Sequence, residues 1–243
     1  MFIHKNEYNY PSLEVVEIPK VGRFYQSPTN ELWYPSITTI TGHKKASFFK
    51  EWRKKPGNDK ILTNAATRGT ALHNITEKYI NNDREFLKNR NEVETNLFNT
   101  IQPELDKINN IVLQEQSIWS DTIRVAGRVD CIAEYNGKLS IIDFKTSLKP
   151  KKKDWITNYF EQATGYSIMF EERTGKFISN IVIIISSEDG TLQVFEEDNR
   201  KYVKSLKESL DQYWLTYSFD RIQNLVNTKL KKNANKTNVS KEI

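Results

Sequence analysis

The amino-acid sequence predicts an α/β or α+β domain, and the order of its segments is the main reason. Helical spacing of apolar residues prevails up to about residue 108, after which strand-like runs follow. A further helical segment, two more strands and an amphipathic helix complete the pattern. The chain has 243 residues, of which 37% are hydrophobic, and this suits one domain with a sizeable core.

The N-terminal part, residues 1–110, is expected to combine a hairpin with a layer of helices. Apolar and polar residues alternate over residues 13–36, around Ser27-Pro28-Thr29-Asn30, and this predicts the hairpin. The predicted helices are residues 46–55, which end before Pro56-Gly57, residues 59–82, and residues 91–108, which Pro103 breaks or kinks. Together the helices would cover one edge of the domain.

Residues 111–226 are expected to form the core of the domain. The predicted elements are strands over residues 111–119, 123–135 and 139–146, a helix over 152–173, strands over 178–186 and 191–196, and a helix over 198–218. Asn136-Gly137 predicts a tight hairpin, because this dipeptide suits the left-handed backbone of a two-residue turn. The Lys- and Asn-rich residues 227–243 are expected to be a basic, disordered tail.

Composition excludes several classes of protein and site. The only cysteine, Cys131, rules out an internal disulfide and a four-cysteine zinc or iron–sulfur site. The N-terminus lacks the apolar stretch of a signal peptide, and the longest aliphatic run, residues 181–185, is too short to span a bilayer. We therefore expect a soluble, cytoplasmic protein with no membrane partner. The net charge of +5 says little about nucleic acid, because residues 227–243 alone carry five lysines and one glutamate.

The hairpin at Asn136-Gly137 also predicts a pair of facing carboxylates. With a two-residue loop, Asp130 falls opposite Asp143, and the Cβ atoms of opposed residues lie about 4.5–5.5 Å apart. Two carboxylates at that distance repel each other unless a proton or a cation lies between them. Lys145 shares a face with Asp143 and would fall opposite Arg128.

Paired acids beside cations suit the hydrolysis of a phosphodiester. Carboxylates can hold Mg²⁺ or Mn²⁺, which lowers the pKa of a bound water and neutralises charge on the phosphoryl oxygens. A neighbouring lysine can orient that water or pair with the developing oxyanion. The alternative is a cross-strand salt-bridge network on an exposed sheet face. Ile132 and Ile141 lie on the same face, which indicates partial burial and favours the catalytic interpretation.

Two predicted helices could add side chains to this site. His73 and Glu77 are four residues apart on the helix over residues 59–82, and therefore lie on one side of it. A lone histidine is more often hydrogen-bonded in a core than bound to a metal. The helix over residues 152–173 carries a stripe of Trp155, Tyr159, Gln162, Tyr166 and Met169. A glutamine in such a stripe needs a hydrogen-bond partner if it is buried.

Four motifs in order resemble the RecB-like branch of the PD-(D/E)xK nucleases. They are Arg68-Gly-Thr-Ala-Leu-His73, Gly127-Arg-Val-Asp130, Ile142-Asp-Phe-Lys-Thr-Ser147 and Gln162-Ala-Thr-Gly-Tyr166. The segment Tyr34-Pro-Ser-Ile-Thr-Thr-Ile40 and the later Trp52-Arg-Lys54 are similar to the mitochondrial genome maintenance exonuclease group and to phage exonucleases. The resemblance covers roughly residues 34–170. It implies the fold of that superfamily, a central mixed sheet flanked by helices.

The resemblance also implies roles for individual residues. The implied metal ligands, for Mg²⁺ or Mn²⁺, are His73, Asp130, Asp143 and the carbonyl of Phe144. Lys145 would be the catalytic lysine, while Gln162 and Tyr166 match an accessory motif that positions the substrate or the site. Glu77 has no counterpart and would lie behind the ligands. The chain departs from many superfamily members in carrying Asp143 where they have glutamate, so its carboxylate is one methylene shorter.

The resemblance implies single-stranded DNA as the partner, threaded from a free end beneath the helical layer. We expect the protein to be a monomer. Basic residues interleaved with Phe48, Phe49 and Trp52 could contact it, although a solvated helix face explains such runs more often. The candidate DNA contacts are Lys45, Trp52, Arg53, Arg68, Arg128, Lys149 and Lys151.

Rival interpretations stay open at this point. A double-strand-specific exonuclease or a restriction-type endonuclease would share the fold, and so would a non-catalytic DNA-binding module. The His73 helix and the Gln162 motif favour the RecB-like branch, and the single cysteine excludes its iron–sulfur members. The intact set of Asp130, Asp143 and Lys145 counts against a pure binder. The N-terminus does not resemble a transit peptide, so a bacterium or a phage-infected cell is the expected location.

Overall fold

The computed structural model describes residues 1–239. Within them the strands are β1 (Val15–Ile18), β2 (Gly22–Gln26), β3 (Trp33–Pro35), β4 (Ile108–Ser120), β5 (Val125–Tyr135), β6 (Lys138–Ser147), β7 (Asn180–Ser187) and β8 (Leu192–Asp198). The α-helices of the same residues are α1 (Ile37–Arg53), α2 (Asn58–Ile80), α3 (Glu92–Leu105), α4 (Thr157–Thr174), α5 (Val203–Thr216) and α6 (Phe219–Val239). The mixed α/β architecture confirms the predicted fold class.

The larger sheet has the strand order β4-β5-β6-β7-β8 and is mixed. Its strands pair antiparallel except β6 and β7, which run parallel and are joined by α4. Every residue of β7 is buried, as expected for a strand covered on both faces. Helices α1, α4 and α5 supply buried residues to the core on one face, and α2 and α3 supply them on the other.

The N-terminal strands form a separate three-stranded antiparallel sheet rather than a single hairpin. The predicted turn at Ser27–Asn30 connects β2 to β3, in which Gln26 pairs with Trp33. The preceding strand, β1, pairs with the other edge of β2. This small sheet and the N-terminus of α1 form one wall of the cleft described below.

Helix α1 begins at Ile37, nine residues before the predicted start at residue 46. The prediction was wrong because the segment Ile37–Thr41 is almost entirely β-branched, and such residues are weak helix formers. Tertiary contacts override that preference. Ile37 and Ile40 are fully buried, and the hydroxyl of Ser36 caps the helix by accepting the N–H of Thr39 at 3.0 Å.

The Asn136-Gly137 turn has the predicted form. Both residues have left-handed backbones, with φ of 50° and 79°, and Tyr135 pairs with Lys138. The β5–β6 ladder ends at Cys131–Ile142, however, so the predicted pairs Asp130–Asp143 and Arg128–Lys145 do not form. Arg128 pairs with Ser117 of β4 and Lys145 with Ile185 of β7. The β5–β6 ladder ends before these pairs because the Asp130 carboxylate accepts the N–H of Phe144, at 2.9 Å.

The predicted disordered tail is wrong over residues 227–239, which continue helix α6. The polar composition did not indicate this helix, because only a few residues attach it to the domain. Ile222 and Val226 are fully buried, and the side-chain amide of Gln223 bonds to both backbone groups of Trp33, at 2.9 and 2.8 Å. Helix α6 thereby covers the open edge of β3. Residues 240–243 of the predicted tail lie outside the described residues.

None of the helices within residues 1–239 combines the length and the apolar character that crossing a membrane would require.

Candidate active site

A cleft of about 290 Å³ opens beside the point where the β5–β6 ladder ends. Its walls come from β2, the start of α1, the middle of α2 and the strands β4 and β5. The predicted site residues that line it are His73, Arg128, Asp130, Lys145, Gln162 and Tyr166. The fold therefore brings together residues from four separate sequence motifs at one opening.

Asp143 lies beneath the cleft and is held by two neighbours. It is 1% exposed, Lys145 Nζ lies 2.5 Å from its Oδ2, and Gln162 Nε2 donates to its Oδ1 at 2.8 Å. Burial raises the pKa of Asp143 to about 6, and the positive charge of Lys145 opposes that rise. Gln162 thus has the partner that a buried amide needs.

Lys145 points its ammonium toward the cleft, with its side chain 19% exposed. Burial lowers the pKa of Lys145, but the carboxylates of Asp143 and Asp130 outweigh burial and raise it above the usual value. The lysine is therefore a cation at neutral pH. Such a group can pair with a negatively charged oxygen, and it is poorly suited to accept a proton.

A second cluster, His73, Glu115 and Asp130, could hold a metal ion. One ligand atom from each lies within 4.8 Å of the others. Nδ1 of His73 is 3.4 Å from Glu115 Oε1 and 3.5 Å from Asp130 Oδ2. Burial lowers the pKa of His73. The carboxylates of Asp130 and Glu115 together raise it by more, so the pKa lies above its usual value. Two carboxylates and an imidazole are a donor set that suits divalent cations such as Mn²⁺ or Mg²⁺.

Glu115 is the member of this cluster that sequence reasoning missed. It lies on β4 between the pairs Gln114–Cys131 and Gln116–Val129, and so at the level of Asp130. Its backbone is left-handed, with φ of 49°, which is uncommon for a residue other than glycine. The segment between β4 and β5 has no distinctive turn dipeptide, so no signal in the sequence fixed the register that brings Glu115 here.

Glu77, the other acid of the His73 helix face, is half-buried beside the cluster. Burial raises the pKa of its carboxyl, and the charge of Glu115 raises it further. Its backbone carbonyl accepts a hydrogen bond from Gln114 at 3.0 Å, which ties α2 to β4.

Tyr166 positions strand β5 next to the cluster. Its hydroxyl donates to the carbonyl of Arg128 at 2.7 Å, and burial raises its pKa well above the usual value. Gly127 allows this contact, because a Cβ there would lie 2.9 Å from the Tyr166 ring. The tyrosine therefore remains a neutral hydrogen-bond donor that fixes the backbone just before Asp130.

The predicted DNA contacts differ in whether they line the cleft and in which residues they contact. Arg128 lines the cleft, its side chain is 58% exposed, and its Nε lies 2.8 Å from Glu115 Oε2. Arg68 lies outside the cleft lining and pairs with Glu188 at 2.8 Å. Lys45 donates to the carbonyl of Trp155 at 2.8 Å, so its ammonium joins α1 to the start of α4. The remaining candidates, all outside the cleft lining, are the exposed Arg53 and Lys149 and the half-buried Trp52 and Lys151.

Comparison with known proteins gives a family and several relatives. The profile of the PD-(D/E)XK nuclease superfamily matches residues 50–237. Mitochondrial genome maintenance exonuclease 1 is 29% identical over 128 residues in Mus musculus and 30% identical over 130 residues in Homo sapiens. Each match covers 48% of this chain and 38% of the relative, so the chain spans about two fifths of the length of these curated relatives.

A solved structure of a candidate exonuclease from Eubacterium rectale aligns over 65% of this chain and 68% of its own chain. The TM-score is 0.48 and the identity 10%.

Proposed function

This chain belongs to the PD-(D/E)XK nuclease superfamily, as the motifs predicted, and we propose that it is a metal-dependent exonuclease that degrades single-stranded DNA from a free end. The observation that carries the proposal is that Asp130 and Lys145 line one open cleft and that Lys145 is paired there with the buried carboxylate of Asp143. A PD-(D/E)xK site needs an acid, a second acid and a lysine around one phosphate. Here β5 supplies the first acid, and β6 supplies the second acid and the lysine.

The cluster of His73, Glu115 and Asp130 fits the divalent metal that this chemistry needs. Its ligand atoms are close together, and Asp130 is kept in place by the N–H of Phe144. A metal held there would lower the pKa of a bound water and offset the negative charge of the phosphoryl oxygens. Asp143 and the Phe144 carbonyl are further proposed ligands, which would bring the charge of the second acid to the same centre.

The protein's own residues would act on the phosphate around that centre. Lys145 is a cation held by Asp143, so its ammonium can stabilise charge that develops on a non-bridging oxygen. Gln162 keeps the Asp143 carboxylate oriented by its hydrogen bond. Arg128 is exposed at the rim of the cleft and can bind a neighbouring phosphate of the strand.

Two features support a single strand as the substrate. The cleft lies between the small N-terminal sheet and α1 on one side and α2 on the other, so a strand would have to pass between these elements. The outer part of α1 carries Lys50, Arg53 and the exposed rings of Phe48 and Phe49. Aromatic rings beside cations bind single strands by stacking on bases and pairing with phosphates, without reading sequence. A monomeric state and a bacterial or phage-infected cell as the location stay predictions.

The test is cleavage of linear single-stranded DNA and of blunt duplex DNA with Mn²⁺ or Mg²⁺. Wild-type protein should shorten the single strand and cut the duplex slowly, and EDTA should stop both reactions. Asp130→Ala, Asp143→Ala and Lys145→Ala should each retain less than about a hundredth of wild-type turnover, because each removes a catalytic group. Lys138→Ala, at the exposed start of the same strand, is the matched control and should remain active.

Three results would contradict the proposal. Substantial turnover in Lys145→Ala would remove the lysine from the mechanism. Faster digestion of the duplex would favour a double-strand-specific enzyme. Binding of DNA without cleavage in either metal would indicate a non-catalytic binding module.

A further inference from the structure

One face of helix α4 leads from the candidate active site to the protein surface. Tyr166 and Gln162 contact the site, as described above. Tyr159 follows one turn earlier, and Lys145 Nζ lies 5.4 Å from the centre of its ring. Trp155 is four residues before Tyr159, in the short 3-10 segment Lys153–Ile156 that precedes the helix. Tyr159, Gln162 and Tyr166 lie at helical spacing on one side of α4.

Trp155 is unusually exposed for its size. The residue is 59% exposed, whereas its neighbour Ile156 and the following Phe160 are buried in the core. The core therefore does not require the indole. An exposed tryptophan that the core does not use is typical of a surface that binds a ligand or partner.

One ammonium lies over this indole, and another binds the backbone of the same residue. Lys152 Nζ lies 5.4 Å from the Trp155 ring centre. Lys45 Nζ donates to the Trp155 carbonyl and to the side chain of Asn158, at 2.8 and 2.7 Å, which fixes the segment against α1. Burial lowers the pKa of Lys45, the charge of Glu161 raises it, and the charge of Lys151 lowers it, so a carboxylate and a third ammonium are both near Lys45. The indole thus lies on an anchored segment beside the ammonium of Lys152.

We propose that Trp155 and Tyr159 form a base-stacking subsite that holds the single strand just outside the active site. In this arrangement a base stacks on the exposed indole while Lys152 binds the adjacent phosphate. Tyr159 lies between Trp155 and Gln162 along the chain, and its ring centre is 5.4 Å from Lys145 Nζ, so it connects the subsite to the catalytic lysine. The subsite rests on the proposed function, since it positions the substrate for that same site.

Nucleobases are the occupant that these residues favour. Every base has an aromatic face, so a flat, rigid ring accepts any of them. The neighbouring lysines match the phosphates that accompany each base. This positioning would apply to all sequences equally, as an enzyme that digests a strand from a free end requires.

The experiment compares two oligonucleotides of equal length and charge, oligo(dT) and a strand made wholly of abasic units, in EDTA so that neither is cut. Binding is measured by fluorescence anisotropy for wild type, Trp155→Ala, Trp155→Phe and Phe177→Ala. Phe177 is the matched control, because it is 51% exposed and lies beyond the opposite end of α4. Thermal unfolding of each variant verifies that it is folded.

Wild type should bind oligo(dT) more tightly than the abasic strand. Trp155→Ala should lose about 5- to 100-fold in affinity for oligo(dT), the effect of one stacked base, and little for the abasic strand. Trp155→Phe should retain most of the affinity, and Phe177→Ala should resemble wild type. In cleavage assays Trp155→Ala should raise KM for the single strand far more than it lowers kcat.

Equal weakening toward both strands, or no weakening of Trp155→Ala relative to Phe177→Ala, overturns the stacking subsite. If wild type nevertheless digests single-stranded DNA, the proposed function stands and only the subsite fails. If wild type binds neither strand and cuts neither, both proposals fail together.

Discussion

Glu115 lies between Arg128 and His73 at the centre of the candidate site. Its Oε2 lies 2.8 Å from Arg128 Nε and its Oε1 3.4 Å from His73 Nδ1. Its left-handed backbone lies in a sparsely populated region, which costs on the order of 1–3 kcal/mol and is tolerated where function requires it. A cation bound by Glu115 and Asp130 would take over part of the role of Arg128, which would then be free to bind phosphate.

The first prediction concerns Glu115→Gln. In wild type, Mn²⁺ should raise the melting temperature, because it binds only the folded site and relieves repulsion between the carboxylates. At a Mn²⁺ concentration one hundred times Kd the stabilisation should be about 2.7 kcal/mol. Glu115→Gln removes a charged ligand while keeping the shape, so most of this rise should disappear. Because His73 supplies a nitrogen, Mn²⁺ should stabilise wild type more than Mg²⁺ does.

Glu134→Gln serves as the control, since Glu134 lies on β5 near Lys5 and away from the cleft lining. It should show the wild-type response to Mn²⁺. An undiminished rise in Glu115→Gln would mean that the ion binds without this carboxylate.

The motifs point to most of the residues that line the candidate site but not to their contacts. His73, Asp130, Lys145 and Gln162, all of which lie in recognisable motifs, line the cleft. What could not be predicted depends on pairing between distant segments. Arg68 is engaged by Glu188, and Lys45 by Trp155, and in each case the two residues are more than a hundred positions apart.

At the scale of secondary-structure elements, the closest approach of α1 to its neighbours is made by Ile37. Ile37 lies against two glycines, Gly127 of β5 and Gly165 of α4. A Cβ at Gly165 would lie 2.5 Å from Ile37 Cδ1 and 2.8 Å from its Cγ1. The close approach of α4 to α1 therefore requires glycine, and it places the N-terminus of α1 at the cleft.

The second prediction is that Gly165→Ala destabilises the fold by about 1–3 kcal/mol through overpacking against buried Ile37. Adding Ile37→Ala should relieve the clash. The double variant should therefore lose less stability than the two single variants lose in total, by roughly 0.5–3 kcal/mol. Urea unfolding of the four proteins measures this coupling.

Gly42→Ala is the control for the intrinsic effect of alanine, because nothing lies within 4 Å of a Cβ built at Gly42. It should be neutral or stabilising by up to about 1 kcal/mol in helix α1. If the stability losses of Ile37→Ala and Gly165→Ala add up to the loss in the double variant, the close-packing account is wrong.

Elements with a regular pattern were predictable, and those that depend on tertiary contacts were not. Helix α2, helix α4 and the β5–β6 hairpin follow from spacing and from the Asn-Gly turn. The start of α1 was missed because its β-branched residues form a helix only when buried against the sheet and α4. Helix α6 was missed because its attachment through Gln223 and two apolar residues is invisible in a polar composition.

At the scale of the whole molecule, Asp121 joins three parts of the chain. Its carboxylate accepts hydrogen bonds from Ser27 at 2.9 Å and Tyr34 at 3.0 Å, and lies 3.3 Å from Arg173. The N-terminal sheet is thereby fastened to the turn between β4 and β5 and to the end of α4. Burial raises the pKa of Asp121, but the hydrogen bonds and Arg173 outweigh burial and hold it below its usual value.

The third prediction follows from that lowered pKa. A carboxyl with a depressed pKa contributes stability above its unfolded pKa, and the contribution is lost as the pH falls through the folded value. Asp121→Asn should therefore reduce the free energy of unfolding by about 1–3 kcal/mol at pH 7, and the difference from wild type should shrink below about pH 4. Urea unfolding between pH 7 and pH 3 measures it.

Glu14→Gln, an exposed change in the same N-terminal region, should have little effect at any of these pH values. A difference between wild type and Asp121→Asn that stays constant down to pH 3 would show that ionisation of Asp121 is not what fastens the sheet.

The central claim is that a free single-stranded end enters the cleft, and a closed circle tests it most directly. Linear and circular single-stranded DNA of the same sequence are incubated with Mn²⁺ at low salt, and product lengths are followed over time. Wild type should degrade the linear strand to short products while the circle persists, because a closed strand has no end to thread between α1 and α2. If the circle is cut as fast as the linear strand is shortened, the protein is an endonuclease and the account of end entry is wrong.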